Sequence, residues 1–132
     1  VACEMLVLGR TAHGETVRTG RLADRWRIRR DGRLAYADAF RIDGDIVAAG
    51  QGGATLASGR GTASLVLAAP DADDWLDGVR GVLAASGLAA GASAWDGLLA
   101  VRAVADDAKR LRAAVVAVLD LIAGGVPRVW SL

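Results

Sequence analysis

The chain has 132 residues, a formal net charge of +1 and 53% hydrophobic residues, a composition that fits one globular domain and lies well above that of a disordered chain. So balanced a charge gives no global field to gather nucleic acid or anionic lipid. The single cysteine, Cys3, excludes an internal disulfide and suits a reducing cytoplasm.

In chain order, residues 1–8 form a short apolar run ended by glycine, the pattern of a core strand. The chain opens at Val1, without Met and already in strand, which leads us to expect further residues upstream. The clearest pattern lies in residues 20–43. Leu22, Asp24, Trp26 and Ile28 alternate with Arg21, Ala23, Arg25, Arg27 and Arg29, and Leu34, Tyr36, Phe40 and Ile42 then alternate with alanines. Between the two runs stands Asp31-Gly32, which predicts a type I′ hairpin because both central residues need positive φ. That loop would set Arg29 opposite Leu34, Arg27 opposite Tyr36 and Arg25 opposite Asp38, the last as an ion pair. Trp26 and Ile28 would face Ala37 and Ala35.

Residues 48–62 are rich in glycine and read as a loop, and residues 63–69 read as a strand. Pro70-Asp71 opens a helix over 71–87, with Asp71 as its cap and Asp73 and Asp74 complementing the positive end of its dipole. Trp75, Val79, Val82 and Leu83 share one face of that helix, and Gly87 ends it. Two strands, 89–95 and 98–105, meet at Asp96-Gly97. Asp106 caps a second helix over 106–123, whose buried stripe is Leu111, Val115, Val118, Leu119 and Ile122. The expected class is α+β, predominantly β: a single domain, strand-rich over 1–69 and helix-containing over 70–132. No apolar run reaches the roughly 18–20 residues that span a bilayer, and no export signal is recognisable.

Few residues can carry chemistry. A zinc site needs three or four ligands, which one Cys and one His do not supply. Glu4, His13 and Glu15 could contribute only to a shared or transient site. Cys3 and His13 lie ten residues apart with no G-x-S-x-G elbow nearby, so no nucleophile–base set is built. The loop GQGGATLASGRGT lacks both phosphate-binding glycine patterns. Arg18, Arg21, Arg25, Arg27, Arg29, Arg30 and Arg33 form a ladder, but Asp24, Asp31 and Asp38 lie among them and interleaved aromatics are few. A solvated or protein-binding strand face therefore fits better than a nucleic-acid footprint. What remains is a glycine-shaped corner, LGRTAHGE, and a chain that does not read as an enzyme.

That corner belongs to a longer pattern. CEMLVLGRTAHGE, the strand opening Gly20-Arg21-Leu22, and Trp26-Arg27-Ile28-Arg29-Arg30-Asp31-Gly32 stand in the order found in the urease accessory protein UreD family, called UreH in some bacteria. GGATL, Gly91-Ala92-Ser93, Gly97-Leu98-Leu99-Ala100-Val101-Arg102 and Pro127-Arg128-Val129-Trp130 continue it, so essentially the whole chain resembles the second half of such a protein. The resemblance implies a β-rich, non-catalytic scaffold with two helices and no tightly bound cofactor. It implies binding to urease apoprotein and to UreF, with the GTPase UreG joining through UreF, and no role for nucleic acid or membrane.

Nickel, the cargo of that assembly, is expected to pass through an internal channel. Carboxylates that hold briefly and release suit such a path better than a closed Cys/His cage. Glu4 is thus expected to face the channel, with Glu15 a second transient nickel ligand. Gly9 and Gly14 would supply the backbone angles of the corner, and Arg10 would anchor it by bonding backbone carbonyls or Glu15. The helices are a weaker candidate for partner docking. The alternatives are an interaction domain of an unrelated assembly, and a small metal-dependent hydrolase built on His13, Glu4 and Glu15.

Overall fold

The computed structural model describes residues 1–9, 17–51, 56, 59–126 and 128–130. Among these residues the strands are β1 (Ala2–Val7), β2 (Thr19–Arg30), β3 (Arg33–Asp45), β4 (Gly61–Ala68), β5 (Ala89–Trp95) and β6 (Leu98–Ala105). Helices are α1 (Ile46–Gly50), α2 (Leu76–Ser86) and α3 (Ala108–Ala123), and short 3₁₀ turns lie at Ala72–Trp75 and Arg128–Trp130. The class is α+β, predominantly β, as the sequence predicts.

The strands form a four-stranded antiparallel sheet in the order β1-β4-β6-β5 and a separate two-stranded ribbon, β2-β3. One face of the sheet carries Ala63, Leu65 and Leu67 of β4 with Leu99, Val101 and Ala103 of β6, all packed with Val79, Leu83, Leu111, Val115, Val118 and Leu119 of α2 and α3. This is the main core. The opposite face of the sheet receives the ribbon, through a smaller apolar cluster of Ile42, Ile46 and Leu56 that also touches Leu8, Leu22, Phe40 and Val104. The molecule thus stacks helices, sheet and ribbon. Because both faces of β4 and β6 are covered, these strands read as nearly continuous apolar runs.

Two glycine turns fix the hairpins. Asp31 and Gly32 have φ of 50° and 76°, and Asp96 and Gly97 have 48° and 70°, the paired positive angles of a type I′ turn. The ribbon register departs from expectation beyond the turn. Arg29 does pair with Leu34, but a bulge between Ile28 and Arg29 shifts everything after it: Ile28 faces Tyr36, Arg27 faces Ala37, Trp26 faces Asp38 and Arg25 faces Ala39. The extra residue puts Asp38 on the inner face with Trp26, so the expected Arg25–Asp38 ion pair does not form. Asp38 pairs instead with Arg102 of β6.

Three further expectations are corrected. Among the described residues β1 pairs with β4 alone, so it stands at the edge of the sheet, half-buried rather than in the core. The short helix α1 runs into the first residues of the glycine-rich stretch and is capped by Asp45, whose carboxylate accepts the Ala48 N–H at 2.9 Å. The predicted helix caps hold only in part. Asp71 stands at the N-cap of the 3₁₀ turn that leads into α2, but its carboxylate accepts the Trp75 indole N–H at 3.3 Å and no backbone N–H, while Asp107 rather than Asp106 caps α3 by accepting the Lys109 N–H at 2.7 Å. Asp107→Ala should therefore cost about 1 kcal/mol, and Asp106→Ala almost nothing. Urea unfolding of both variants checks this, and equal losses would contradict the assignment.

Candidate functional site

The site lies in the seam between the sheet and the ribbon. Glu4, Ser64, Arg102 and Gly91 stand opposite one another across β1, β4, β6 and β5, and partners in a pleated sheet share a face. Leu6 and Thr62 form the next row on that side. From above, the ribbon contributes Asp24, Trp26 and Phe40, and a small cleft is lined by Glu4, Asp24, Phe40, Thr62, Ser64 and Arg102.

Polar contacts pin the ribbon over this row. The Trp26 indole Nε1 donates to Glu4 Oε2 at 3.2 Å and to Asp24 Oδ2 at 3.0 Å, so two carboxylates from different layers share one donor. Asp38 pairs with Arg102, whose side chain is 45% exposed against 21% for Asp38. At the far end the Arg30 guanidinium donates to the carbonyls of Asp96 and Gly97, and Tyr36 lies 6.1 Å from Trp95 between ring centroids. The Asp96-Gly97 turn is also held from the helix side, where Asp73 accepts the Gly97 N–H at 2.8 Å. Among the described residues no buried side-chain nitrogen or oxygen lacks a partner.

Of the residues singled out in the sequence, Glu4 stands in this seam and Gly9 has φ of 86°, in the region that favours glycine. Arg10, His13, Gly14 and Glu15 lie outside the described residues. Three residues of the seam to which the sequence assigns no site role are Asp24, Asp38 and Arg102. Their signal was present: Asp24 and Asp38 fall in phase with the inward apolar positions of their strands, and Ser64 and Arg102 interrupt the apolar runs of β4 and β6 at paired positions.

Among the described residues no three His, Cys, Asp or Glu side chains converge to hold a metal ion. Cys3 adds no ligand to the seam, for it sits on the opposite face of β1, packed against the helix-side core. Burial, and after it the charge of Glu4, push its thiol from 9.0 up to about 11. The folded chain therefore holds this proton more tightly than the unfolded one. The corresponding stability is present below about pH 9 and is lost as pH rises through 11. At pH 8 iodoacetamide should modify Cys3 about a hundredfold more slowly in the folded chain than in the denatured one. Mass spectrometry of the time course measures this, and equal rates would contradict it.

Fold and site define a layered α+β protein with a carboxylate-bearing seam between a sheet and its covering ribbon. The chain belongs to the UreD urease accessory protein family, whose model matches residues 1–131. It is similar to the urease accessory protein UreD of Methylobacterium sp. (strain 4-46), 49% identical over 134 residues that cover 97% of this chain and 48% of that protein. The UreD of Azorhizobium caulinodans is 42% identical over 133 residues, covering 100% of this chain and 49% of its own. The urease accessory protein UreD 2 of Methylorubrum populi is 44% identical, covering 99% and 45%. The chain spans about half the length of these curated relatives. Among the described residues no helix is long and apolar enough to cross a membrane.

Proposed function

We propose that this chain acts in urease maturation as a domain of a non-catalytic scaffold in the cytoplasm. It binds urease apoprotein and UreF, UreG joins through UreF, and the assembly lets nickel reach the urease active site. Family membership along essentially the whole chain is the observation that carries this reading.

The seam supports a transient nickel path. Glu4 and Asp24 both accept from one indole N–H, which sets a carboxylate of the sheet and one of the ribbon beside the same point of the seam. Oxygen ligands bind such an ion more weakly than a thiolate or imidazole cage would, and so release it readily. Glu15 remains the proposed further ligand along the path.

The test is to produce urease with and without this protein, alongside UreF and UreG, and to measure nickel per urease active site. Nickel content should rise several-fold when the protein is present. Equal occupancy in both cases would overturn the reading.

A further inference from the structure

The ribbon segregates its charges and rings by face. Asp24 and Asp38 turn inward with Trp26, Tyr36 and Phe40, toward the seam. Arg21, Arg25, Arg27, Arg29 and Arg41 turn outward and are exposed. At one end of the outer face Asp43 is 3.2 Å from Arg21 and 2.8 Å from Arg41, which neutralises that end in part. Toward the tip the balance fails. Arg25 and Arg27 stand opposite Ala39 and Ala37, and no carboxylate of the described residues pairs with either. Arg29 donates to the Gly32 carbonyl at 3.3 Å, and its cross-strand partner Leu34 is 51% exposed.

We propose that this outer face of the β2-β3 ribbon docks an acidic surface of a urease-maturation protein, a proposal that rests on the functional reading above. Arg25, Arg27 and Arg29 recur every second residue of β2, about 7 Å apart along one strand of the ribbon. That spacing presents planar donor forks side by side to carboxylates, with small alanines beside them that let a partner approach. Leu34 supplies an exposed apolar point beside the charges, as interface centres do. Nucleic acid fits less well: every ring of the ribbon faces inward, so the outer face has no aromatic platform for bases.

The test compares the protein with R25E/R27E/R29E and with the neutral R25Q/R27Q/R29Q, each first checked for unchanged circular dichroism. Binding to apo-urease and to UreF is measured separately, at low and high salt, with a DNA duplex as competitor. Binding of the unchanged protein to one of the two should weaken with salt, and the glutamate triple should bind that partner at least about tenfold more weakly. The glutamine triple should fall between. Undiminished binding of both triples to both proteins would overturn the docking face while leaving the maturation role standing. Displacement of the protein partner by DNA would also overturn it. Failure of the unchanged protein to bind either partner would remove the maturation role and this proposal together.

Discussion

Leu99→Ala is expected to lower stability by about 3 kcal/mol, the cost of removing a buried leucine that its surroundings cannot refill. Leu99 is 0% exposed on β6, an inner strand of the sheet, where it pairs with Leu67 of β4 and with Ala94 of β5. Its side chain belongs to the cluster that joins the sheet to α2 and α3, so the cavity would open at the centre of the main core. Urea unfolding followed by circular dichroism measures the loss as a shifted midpoint at unchanged slope. Leu34→Ala, at a side chain 51% exposed on the ribbon, is the control and should change stability by less than about 0.5 kcal/mol. Similar small losses at both positions would mean that the helix-on-sheet layer does not hold the fold together.

The second large effect is functional. Glu4→Gln should lower nickel-dependent urease activation on the order of tenfold, the scale of losing a group that guides or orients a metal. The amide keeps an oxygen to accept the Trp26 indole N–H but carries no charge to attract a cation. Asp24→Asn should act in the same direction, because its carboxylate shares that donor from the ribbon side. Neither change should move stability by more than about 1 kcal/mol, since the hydrogen bond can persist. Activation rate and unfolding midpoint, measured together, separate loss of a charge from loss of the fold. Unchanged activation in both variants would remove the carboxylate pair from the nickel path.

Local chemistry explains what could be read from the sequence. The two Asp-Gly turns were legible because a two-residue hairpin loop needs positive φ, and few dipeptides tolerate it. The two long helices were legible from their apolar stripes, and the first also from its stop at Gly87; Gly87 and Gly124 end α2 and α3 with left-handed backbone. The ribbon register was not, because a bulge two residue pairs from the turn answers to packing on the sheet and not to the turn itself. Nor was the cap of α3 fixed, since Asp106 and Asp107 are chemically alike and only backbone geometry chooses between them. The edge position of β1 was hidden for a related reason: Cys3 and Met5 feed the core on one face, and pattern alone does not show how many neighbours a strand has.

The site was half legible. Glu4 stood out as one of only two glutamates in the chain, within a pattern resembling the UreD family. Asp24 was visible as a charged residue in an inward apolar phase, yet only the third dimension brings it to Glu4, 20 positions away in sequence. Arg102 and Asp38 meet across layers, a pairing that no periodicity within either strand encodes.

The most direct measurement is co-elution of the purified protein with apo-urease and UreF by size-exclusion chromatography, each component also run alone. One larger complex containing all three is the expected result. Separate elution of this protein from both would contradict it.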